Sequence, residues 1–308
     1  MKKIIYVLII IIFVFFCIEI FCRIVNIGKS IIDERNFLYQ YNSILGWFPK
    51  SNKEITMVDF IGKSKYTNNS LGFRDIEHDY KEQNKDRIMF IGDSFCFGYG
   101  VNQNKVFVEL LRYKLKEYEL FNCGISGYST DQEFLLLQMY FDLIKPKNVF
   151  LILCVENDFQ ETQQNIAYEY YKPYFFREGK ELILKGVPIP KTWLYYRNNF
   201  FIKHSRFINI LLRICIIIKH PLIFTNDATT TFNIILAMQS FLTDKDCNFI
   251  IGLTKKDTQI EEFCLKNNIK HIILENDNTR SETDFHWNEK GHEVVADKIY
   301  DFFKEEYN

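Results

Sequence analysis

Short, nearly continuous apolar runs recur along this chain from residue 87 onward, and stretches with helical spacing separate them. The apolar runs are RIMFIG at 87–92, ELFNCGI at 119–125, NVFLILCV at 148–155, NFIIGL at 248–253 and HIIL at 271–274. The helical stretches are 106–118, 132–144, 258–266 and 289–305. Strands that are apolar throughout are typical of sheets covered on both faces. The alternation therefore predicts an α/β fold with a parallel sheet between two layers of helices.

Polar residues follow three of these strands, at the point where each strand ends. They are GDS at 92–94, NCGISG at 122–127 and END at 156–158. A further polar group, Asp284 and His286, comes just before the last helix. Sites in open α/β sheets form at the carboxyl ends of the strands. The sequence therefore predicts chemistry at this edge, where Ser94 stands.

Taken together, these motifs resemble the four blocks of the SGNH (GDSL-type) hydrolase family, in the expected order. The resemblance covers roughly residues 85–160 and 245–305. It implies a three-layer, flavodoxin-like sandwich. The phrases LGW, TNNSLGFRD and KPYF are also similar to those of a membrane-anchored bacterial subset of the family.

The resemblance implies a role for each residue of the site. Ser94 matches the nucleophile, His286 the base and Asp284 the acid that orients the base. The backbone N–H groups of Ser94 and Gly127 and the side-chain amide of Asn157 match the oxyanion hole. The chemistry is consistent, because a serine hydroxyl becomes a good nucleophile only when an imidazole, steadied by a carboxylate, accepts its proton.

Two positions depart from the common pattern of the family. Many members space the acid and the base as DxxH, whereas this chain has Asp284-Phe285-His286, with Thr283 at the usual acid position. The shorter DxH spacing occurs in some membrane-linked and polysaccharide-modifying relatives. Glu156 replaces the glycine that often precedes the block III asparagine, and we expect it to narrow the pocket.

The N-terminal segment predicts a membrane span. Residues 4–22 contain one charge, Glu19, and as a helix they would extend about 28 Å, close to the hydrocarbon core of about 30 Å. No small-residue cleavage site follows, so we interpret residues 1–23 as an uncleaved signal anchor. A cleaved signal peptide and a buried helix are the alternatives. Basic residues flank the segment on both sides, and the short N-terminal tail favours a domain outside the cytoplasm.

The rest of the chain divides by composition. Residues 24–82 are mixed and polar, which indicates a stalk and accessory segment, and residues 83–308 form the predicted hydrolase-like domain. An aromatic-rich insert interrupts that domain at about 159–232. Its apolar stretch at 206–224 carries three basic residues, too many for an easy membrane span. A helix packed on the domain, or one resting on a membrane surface, fits better.

Composition gives no sign of several other classes of function. A formal net charge of −1 does not indicate nucleic acid or an acidic partner. The eight cysteines are scattered without paired spacing, and no CxxC or HxxxH pattern suggests zinc. We expect Cys96 to fill the core rather than to act as a nucleophile. His292 is expected to face solvent on the last helix.

These observations favour a membrane-tethered serine esterase. It would remove an acyl group, with acetyl as the first candidate, from an extracytoplasmic carbohydrate or lipid through an acyl-enzyme on Ser94. An O-acyltransferase that modifies a cell-surface polysaccharide is one alternative. A non-catalytic carbohydrate-binding or scaffold protein with a vestigial site is another. The resemblance implies no metal and no organic cofactor, and the oligomeric state stays open.

Overall fold

The chain folds into an α/β domain preceded by a long apolar helix. The structure is a computed structural model and describes residues 2–28, 38–58, 61–81, 84–179, 181–196, 199–225, 227 and 229–307. The strands are β1 Tyr39–Asn42, β2 Gly46–Pro49, β3 Glu54–Val58, β4 Lys63–Thr67, β5 Asp86–Gly92, β6 Tyr118–Asn122, β7 Asn148–Leu153, β8 Ile166–Ala167, β9 Tyr170–Tyr171, β10 Tyr174–Glu178, β11 Glu181–Lys185, β12 Asn248–Leu253, β13 Lys270–Ile273, β14 Thr279–Ser281 and β15 Asp284–Trp287. The α-helices are α1 Lys2–Ile24, α2 Ser94–Phe97, α3 Phe107–Lys114, α4 Thr130–Ile144, α5 Asp158–Glu161, α6 Phe200–His204, α7 Arg206–Lys219, α8 Thr229–Thr243, α9 Thr258–Lys266 and α10 Glu289–Tyr307.

The central sheet is parallel and doubly wound. Its strands lie in the order β13-β12-β7-β5-β6, and every neighbouring pair is parallel. This is the flavodoxin-like arrangement, in which the chain reverses its direction of winding between the first and third strands. Here the reversal falls between β5 and β7. Ser94 follows β5 and Asn157 follows β7, so both stand at the crevice where such sheets bind ligands.

Helices cover both faces of the sheet. Val149 and Leu151 of β7 belong to the core layer that also contains apolar residues of α4, α8 and α9. Phe150 and Ile152, which alternate with them, belong to the layer with α3 and α10. Alternate residues of a strand point to opposite faces, and here both faces are buried. The predicted three-layer sandwich with a parallel sheet is confirmed.

Two antiparallel hairpins, β1–β2 and β3–β4, precede the sheet, and each contributes side chains to the main core. Trp47 of β2 is buried in the main core, and its carbonyl accepts a 2.6 Å hydrogen bond from the Tyr128 hydroxyl. Arg74, also buried, donates to three backbone carbonyl groups in the turn that follows α2. The segment before the sheet therefore helps to hold the turn that follows Ser94.

His292 is buried, so the expectation that it faces solvent is wrong. It is 1% exposed, its ring stacks on Phe107, and its Nδ1 accepts a 3.3 Å hydrogen bond from the Phe107 N–H. Val295 and Ala296, three and four residues further along α10, are core residues on the same helical face. Burial lowers the pKa of His292 to about 3, so the ring is neutral in the folded protein.

Burial of this neutral ring is expected to make the fold sensitive to acid. The unfolded chain binds a proton near the ordinary pKa of 6.5, whereas the folded chain binds it near 3. Stability is therefore complete above about pH 6.5 and falls as the pH is lowered toward 3. Between pH 7.5 and pH 5, this side chain should cost about 2 kcal/mol of unfolding free energy.

The measurement is denaturant unfolding of the wild type and His292→Gln at both pH values. Glutamine keeps an acceptor for the Phe107 N–H but does not titrate, so the variant should lose about 2 kcal/mol less than the wild type. Equal losses in the two proteins would contradict the assignment.

Candidate active site

Ser94, His286 and Asp284 form a continuous chain of hydrogen bonds. The Oγ atom of Ser94 lies 2.8 Å from Nε2 of His286. Nδ1 of the same ring lies 2.6 Å from Oδ1 of Asp284. Ser94 is largely buried, whereas the His286 side chain is 28% exposed. A molecule from solvent can therefore approach the serine from the side of the imidazole.

The turn between β5 and α2 sets the position of Ser94. A Cβ atom at Gly92 would lie 2.8 Å from a backbone oxygen of β7, so the approach of the two strands requires glycine. Asp93 then caps α2 by accepting a 2.8 Å hydrogen bond from the Phe95 N–H. The first N–H groups of a helix lack an intrahelical acceptor, and Ser94 stands at the first position of α2. Cys96 is fully buried, and burial raises the pKa of its thiol well above the ordinary value.

The DxH spacing is explained by the conformation of β15. Asp284 and His286 are two residues apart on this strand, which pairs with β14 in an antiparallel hairpin. Side chains two residues apart on a strand point to the same face, so both can reach toward Ser94. Phe285, between them, is 65% exposed. An extended backbone thus brings Asp284 and His286 together at the shorter spacing.

Arg280 and Tyr99 contact this pair, and sequence reasoning missed both. The Arg280 side chain is 5% exposed, and its Nη1 donates a 2.6 Å hydrogen bond to Oδ2 of Asp284. A Cβ atom at Gly100 would lie 2.2 Å from Nε of Arg280, so the guanidinium passes directly against that glycine. The Tyr99 ring packs on His286 with the centroids 4.8 Å apart. The sequence offers one indication of the Arg280 contact, which is that a positive charge lies only four residues before Asp284.

The charges around Asp284 keep it ionised. Burial opposes its charged form, but the hydrogen bonds and positive charge of His286, together with the charge of Arg280, hold the pKa of Asp284 below its ordinary value. A carboxylate that accepts from Nδ1 leaves Nε2 as the acceptor in the neutral imidazole. The arrangement can therefore take a proton from the Ser94 hydroxyl.

Gly127 lies in the loop after β6, which runs against the turn that holds Ser94. The N–H of Ile125 donates a 2.9 Å hydrogen bond to the carbonyl of Gly92. Gly127 has a φ of +82°, and a Cβ atom there would lie 2.9 Å from the ring of Tyr168. Both the backbone conformation and the close ring favour glycine. The ring of Tyr168 thus covers the Gly127 end of the site.

Asn157 lies after β7 and contacts the residue that precedes the serine. Its side chain is close enough to the carboxylate of Asp93 to favour the charged form of that group, against the burial that raises the pKa of Asp93. Its Oδ1 is buried without a hydrogen-bond partner among the residues that the structure describes. Asn157 therefore lies close to Ser94.

A cluster of buried acidic residues lies behind the serine. Its members, which influence one another electrostatically, are Asp93, Asp131, Glu133, Asp158 and Glu161. Lys172 forms an ion pair with Asp131. Burial, with a contribution from the neighbouring carboxylates, raises the pKa of Glu133 well above its ordinary value. Within the described ranges, these carboxyl groups do not form an arrangement that could hold a metal ion.

A cavity of about 250 Å³ lies beside the site, lined in part by Phe95, Lys255 and Phe285. Glu156 also lines it, and its Oε2 accepts a 3.3 Å hydrogen bond from the Thr254 hydroxyl. Glu156 therefore forms part of the wall of this cavity. A larger cavity, of about 570 Å³, lies at the amino ends of β5 and β6, at the opposite edge of the sheet from Ser94.

Several solved structures of esterases are similar to this chain. A lipolytic protein of the G-D-S-L family from Veillonella parvula is 15% identical, with 71% of this chain and 98% of that one covered and a TM-score of 0.42. A psychrotrophic esterase from Pseudoalteromonas sp. is 12% identical, with 72% and 98% covered and a TM-score of 0.43. An acetyl xylan esterase is 15% identical, with 70% and 98% covered and a TM-score of 0.42.

No family model matches the chain, and no curated protein matches it. Its chemistry is therefore inferred from the geometry of its own site.

Glu133 is expected to weaken the fold at alkaline pH. Both of its carboxyl oxygens are buried without a hydrogen-bond partner among the described residues. Its folded pKa is raised, so stability is complete below the unfolded value of 4.5 and is lost as the pH rises toward the folded value. Glu133→Gln removes this dependence and should be more stable than the wild type at pH 8, with a smaller difference at pH 5.

Thermal unfolding at the two pH values measures this effect. Glu262→Gln, a change at an exposed position of α9, is the matched control and should leave the midpoint unchanged at both. A Glu133→Gln protein that is less stable than the wild type at pH 8 would show that the carboxylate is charged and paired.

Proposed function

We propose that this chain is a membrane-tethered serine esterase that removes an acyl group, with acetyl as the first candidate, from an extracytoplasmic carbohydrate or lipid. The observation that carries the proposal is the pair of short hydrogen bonds that joins Ser94 to His286 and His286 to Asp284. A serine held on an imidazole, which is itself held on a carboxylate, is activated for attack on a carbonyl carbon.

In the first half of the reaction, Oγ of Ser94 attacks the ester carbonyl while Nε2 of His286 takes the hydroxyl proton. The positive charge on the ring is stabilised by Asp284, which Arg280 holds in place. The tetrahedral intermediate collapses when the C–O bond to the leaving alcohol breaks and His286 gives that alcohol its proton. The acyl group then remains on Ser94 as an ester.

The negative oxygen of the tetrahedral intermediate needs donors that are already in position. The N–H groups of Ser94 and Gly127 and the side-chain amide of Asn157 are our candidates. Ser94 opens α2, and the Asn157 side chain lies near the carboxylate of Asp93, the residue before the serine. Removing one donor from such a hole typically costs about 3 kcal/mol of transition-state stabilisation.

In the second half, His286 takes a proton from water as the water oxygen attacks the acyl carbon. The bond from that carbon to Oγ of Ser94 then breaks, the acid leaves, and His286 returns the proton to Oγ. The exposure of the His286 side chain favours water as the acceptor over a sugar hydroxyl. Phe285 presents an exposed ring beside the catalytic residues, and Tyr168 presents another over Gly127. Such surfaces suit the apolar face of a sugar ring or a short acyl chain.

The proposed tether is α1. It is 23 residues long, with a mean hydropathy of 3.2, and only 6% of its apolar window is buried against the rest of the chain. In this proposal, residues 1–23 anchor the protein, residues 24–82 join the anchor to the site-bearing part, and residues 83–308 carry the site.

A fluorophosphonate probe should label Ser94 of the full-length protein in detergent. The phosphorus takes the place of the ester carbonyl, so the reaction requires an activated serine. His286→Ala should slow the labelling at least about a hundredfold, because no base then takes the proton. Mass spectrometry of the peptides identifies the modified residue and follows the rate.

His271→Ala provides the matched control, since His271 lies on β13 and its ring contacts a backbone carbonyl. It should label like the wild type. Failure of folded wild-type protein to react at Ser94, or equal labelling of the His286→Ala variant, would favour a vestigial binding site. Continuous turnover of p-nitrophenyl acetate in water is expected for an esterase. A single burst of p-nitrophenol release, followed by turnover only after a sugar is added, would indicate an acyltransferase.

Arg280→Gln should lower kcat for p-nitrophenyl acetate by roughly tenfold and leave KM little changed. The variant loses the hydrogen bond that fixes Oδ2 of Asp284, so the carboxylate can turn away from His286. Arg280→Lys should recover part of the rate, because it restores the positive charge. Steady-state kinetics in detergent give both constants.

Arg177→Gln, at an exposed arginine of β10, is the control for this experiment. A change confined to KM in Arg280→Gln would contradict the prediction, because it would indicate that Arg280 binds the substrate rather than positions Asp284.

A further inference from the structure

The end of α1 is joined to the start of α7 by the carboxylate of Glu19. Its two oxygens accept hydrogen bonds from the N–H groups of Arg206 and Phe207, at 3.2 and 3.0 Å, and from the Ser205 hydroxyl at 2.9 Å. A negative group at the beginning of a helix satisfies free N–H groups and the helix dipole. Glu19 therefore caps a helix almost two hundred residues away in the chain.

The reverse contacts are made by arginine. Nη1 of Arg206 donates to the carbonyl of Cys22 at 3.3 Å and to the side chain of Asn26 at 3.1 Å, at the end of α1. Arg23 donates to Glu19 at 2.8 Å and to the carbonyl of His204 at 2.7 Å. Each helix end is thus satisfied by side chains of the other segment, so α7 is fixed directly to the anchor.

One face of α7 is apolar and uncovered. We define this outer stripe as the exposed residues Leu211, Ile214, Cys215 and Ile218. Their spacing of three, four and seven places them on one side of the helix. Leu212, Ile216 and Ile217, on the inner side, pack against the main core. A soluble surface helix would present polar residues outward, so the outer stripe requires another explanation.

The outer stripe is continuous with the contact between α7 and α1. Phe207 packs on Phe15 of α1 with the ring centroids 5.8 Å apart. Ile210 comes close to Gly28, where a Cβ atom would lie 2.8 Å from its side chain. The uncovered residues begin at the next position, Leu211. The apolar surface therefore runs from the anchor along α7 without a break.

Basic residues stand at both ends of this surface. Lys203, His204 and Arg206 lie at its start, and Lys219 and His220 at its end. The sequence from 199 to 225 contains no aspartate or glutamate. Exposed Phe200 and Phe201 on α6 and Phe224 after α7 extend the apolar area. Aromatic and aliphatic side chains bordered by positive charge fit the interface of a membrane with anionic lipids.

We infer that the outer stripe of α7, together with α6, lies in the surface layer of the same bilayer that holds α1. The inference rests on the proposed retention of α1 as an anchor. The partner is a lipid surface, since the stripe continues from the membrane helix and its border is basic.

The inner side of α7 connects this surface to the site. Nη1 of Arg213 donates a 3.2 Å hydrogen bond to Glu169, whose other oxygen accepts from the Trp193 indole at 3.2 Å. The adjacent residue, Tyr168, covers Gly127. A helix lying on the bilayer therefore holds the wall of the site at a fixed place relative to the lipid. This arrangement suits an ester carried at, or presented from, the membrane surface.

Cys215 provides a natural reporter for the test. Among the described residues, only Cys17 and Cys215 are exposed cysteines, so a Cys17→Ser protein offers Cys215 for a nitroxide label. The full-length protein is reconstituted in liposomes of phosphatidylcholine and phosphatidylglycerol. Collision rates of the label with oxygen, which enters lipid, and with a water-soluble nickel chelate are then compared by electron paramagnetic resonance.

The oxygen-to-nickel ratio at Cys215 should exceed that of a water-exposed control by at least about threefold. The control is Tyr113→Cys in a protein lacking both exposed cysteines, because Tyr113 on α3 is 73% exposed. Ile218→Glu should move the Cys215 label toward water, since it places a charge at a position that is 75% exposed.

A ratio equal to that of the control would overturn the inference. So would protection from both reagents, which indicates a protein contact, or spin–spin broadening that disappears on dilution with unlabelled protein, which indicates a second copy. Intact mass of the reconstituted protein checks that α1 is present, and its loss would remove the premise. Fluorophosphonate labelling of Ser94 in the same samples reports the esterase proposal separately.

Discussion

All neighbouring strands of the central sheet run in the same direction, and this constraint governs the rest of the molecule. The carboxyl ends of all five strands therefore lie at one edge of the sheet. The backbone leaves the sheet there, so polar side chains can be accommodated. The reversal of winding between β5 and β7 opens a crevice at that edge. Gly92 allows the two strands to approach closely there. Ser94 and Asn157 are brought together by this geometry, although more than sixty residues separate them.

Much of this arrangement could be predicted because its signals are local. Buried parallel strands are apolar throughout, as NVFLILCV is, and the helices between them show their own periodicity. A strand end is marked by the residues that follow it, so Ser94 and Asn157 could be located without coordinates. The contact between His286 and Asp284 also follows from local geometry once β15 is recognised as extended.

The contacts that were missed join distant segments. Arg280 reaches Asp284 only because Gly100, in another loop, leaves room for its guanidinium. The sequence predicts that His292 lies on the solvent-facing side of α10. The ring is instead buried against Phe107 of α3, a contact that only the fold brings about. The cap that Glu19 makes on α7 joins two helices that lie almost two hundred residues apart in the chain. A single charged residue in an apolar segment indicates that a hydrogen-bond or ion-pair partner is needed, but only the fold identifies that partner.

The shared strand of Asp284 and His286 has a mechanical consequence. Both residues lie on β15, in a small hairpin that is separate from the central sheet. Displacement of this hairpin would carry Asp284 and His286 together, with Arg280 on the other strand. The 2.6 Å bond between the two would survive, and the 2.8 Å bond from His286 to Ser94 would break. A shift of the hairpin would therefore leave the Asp284–His286 pair assembled and change its contacts with the turn after β5, which are the bond to Ser94 and the packing of His286 on Tyr99.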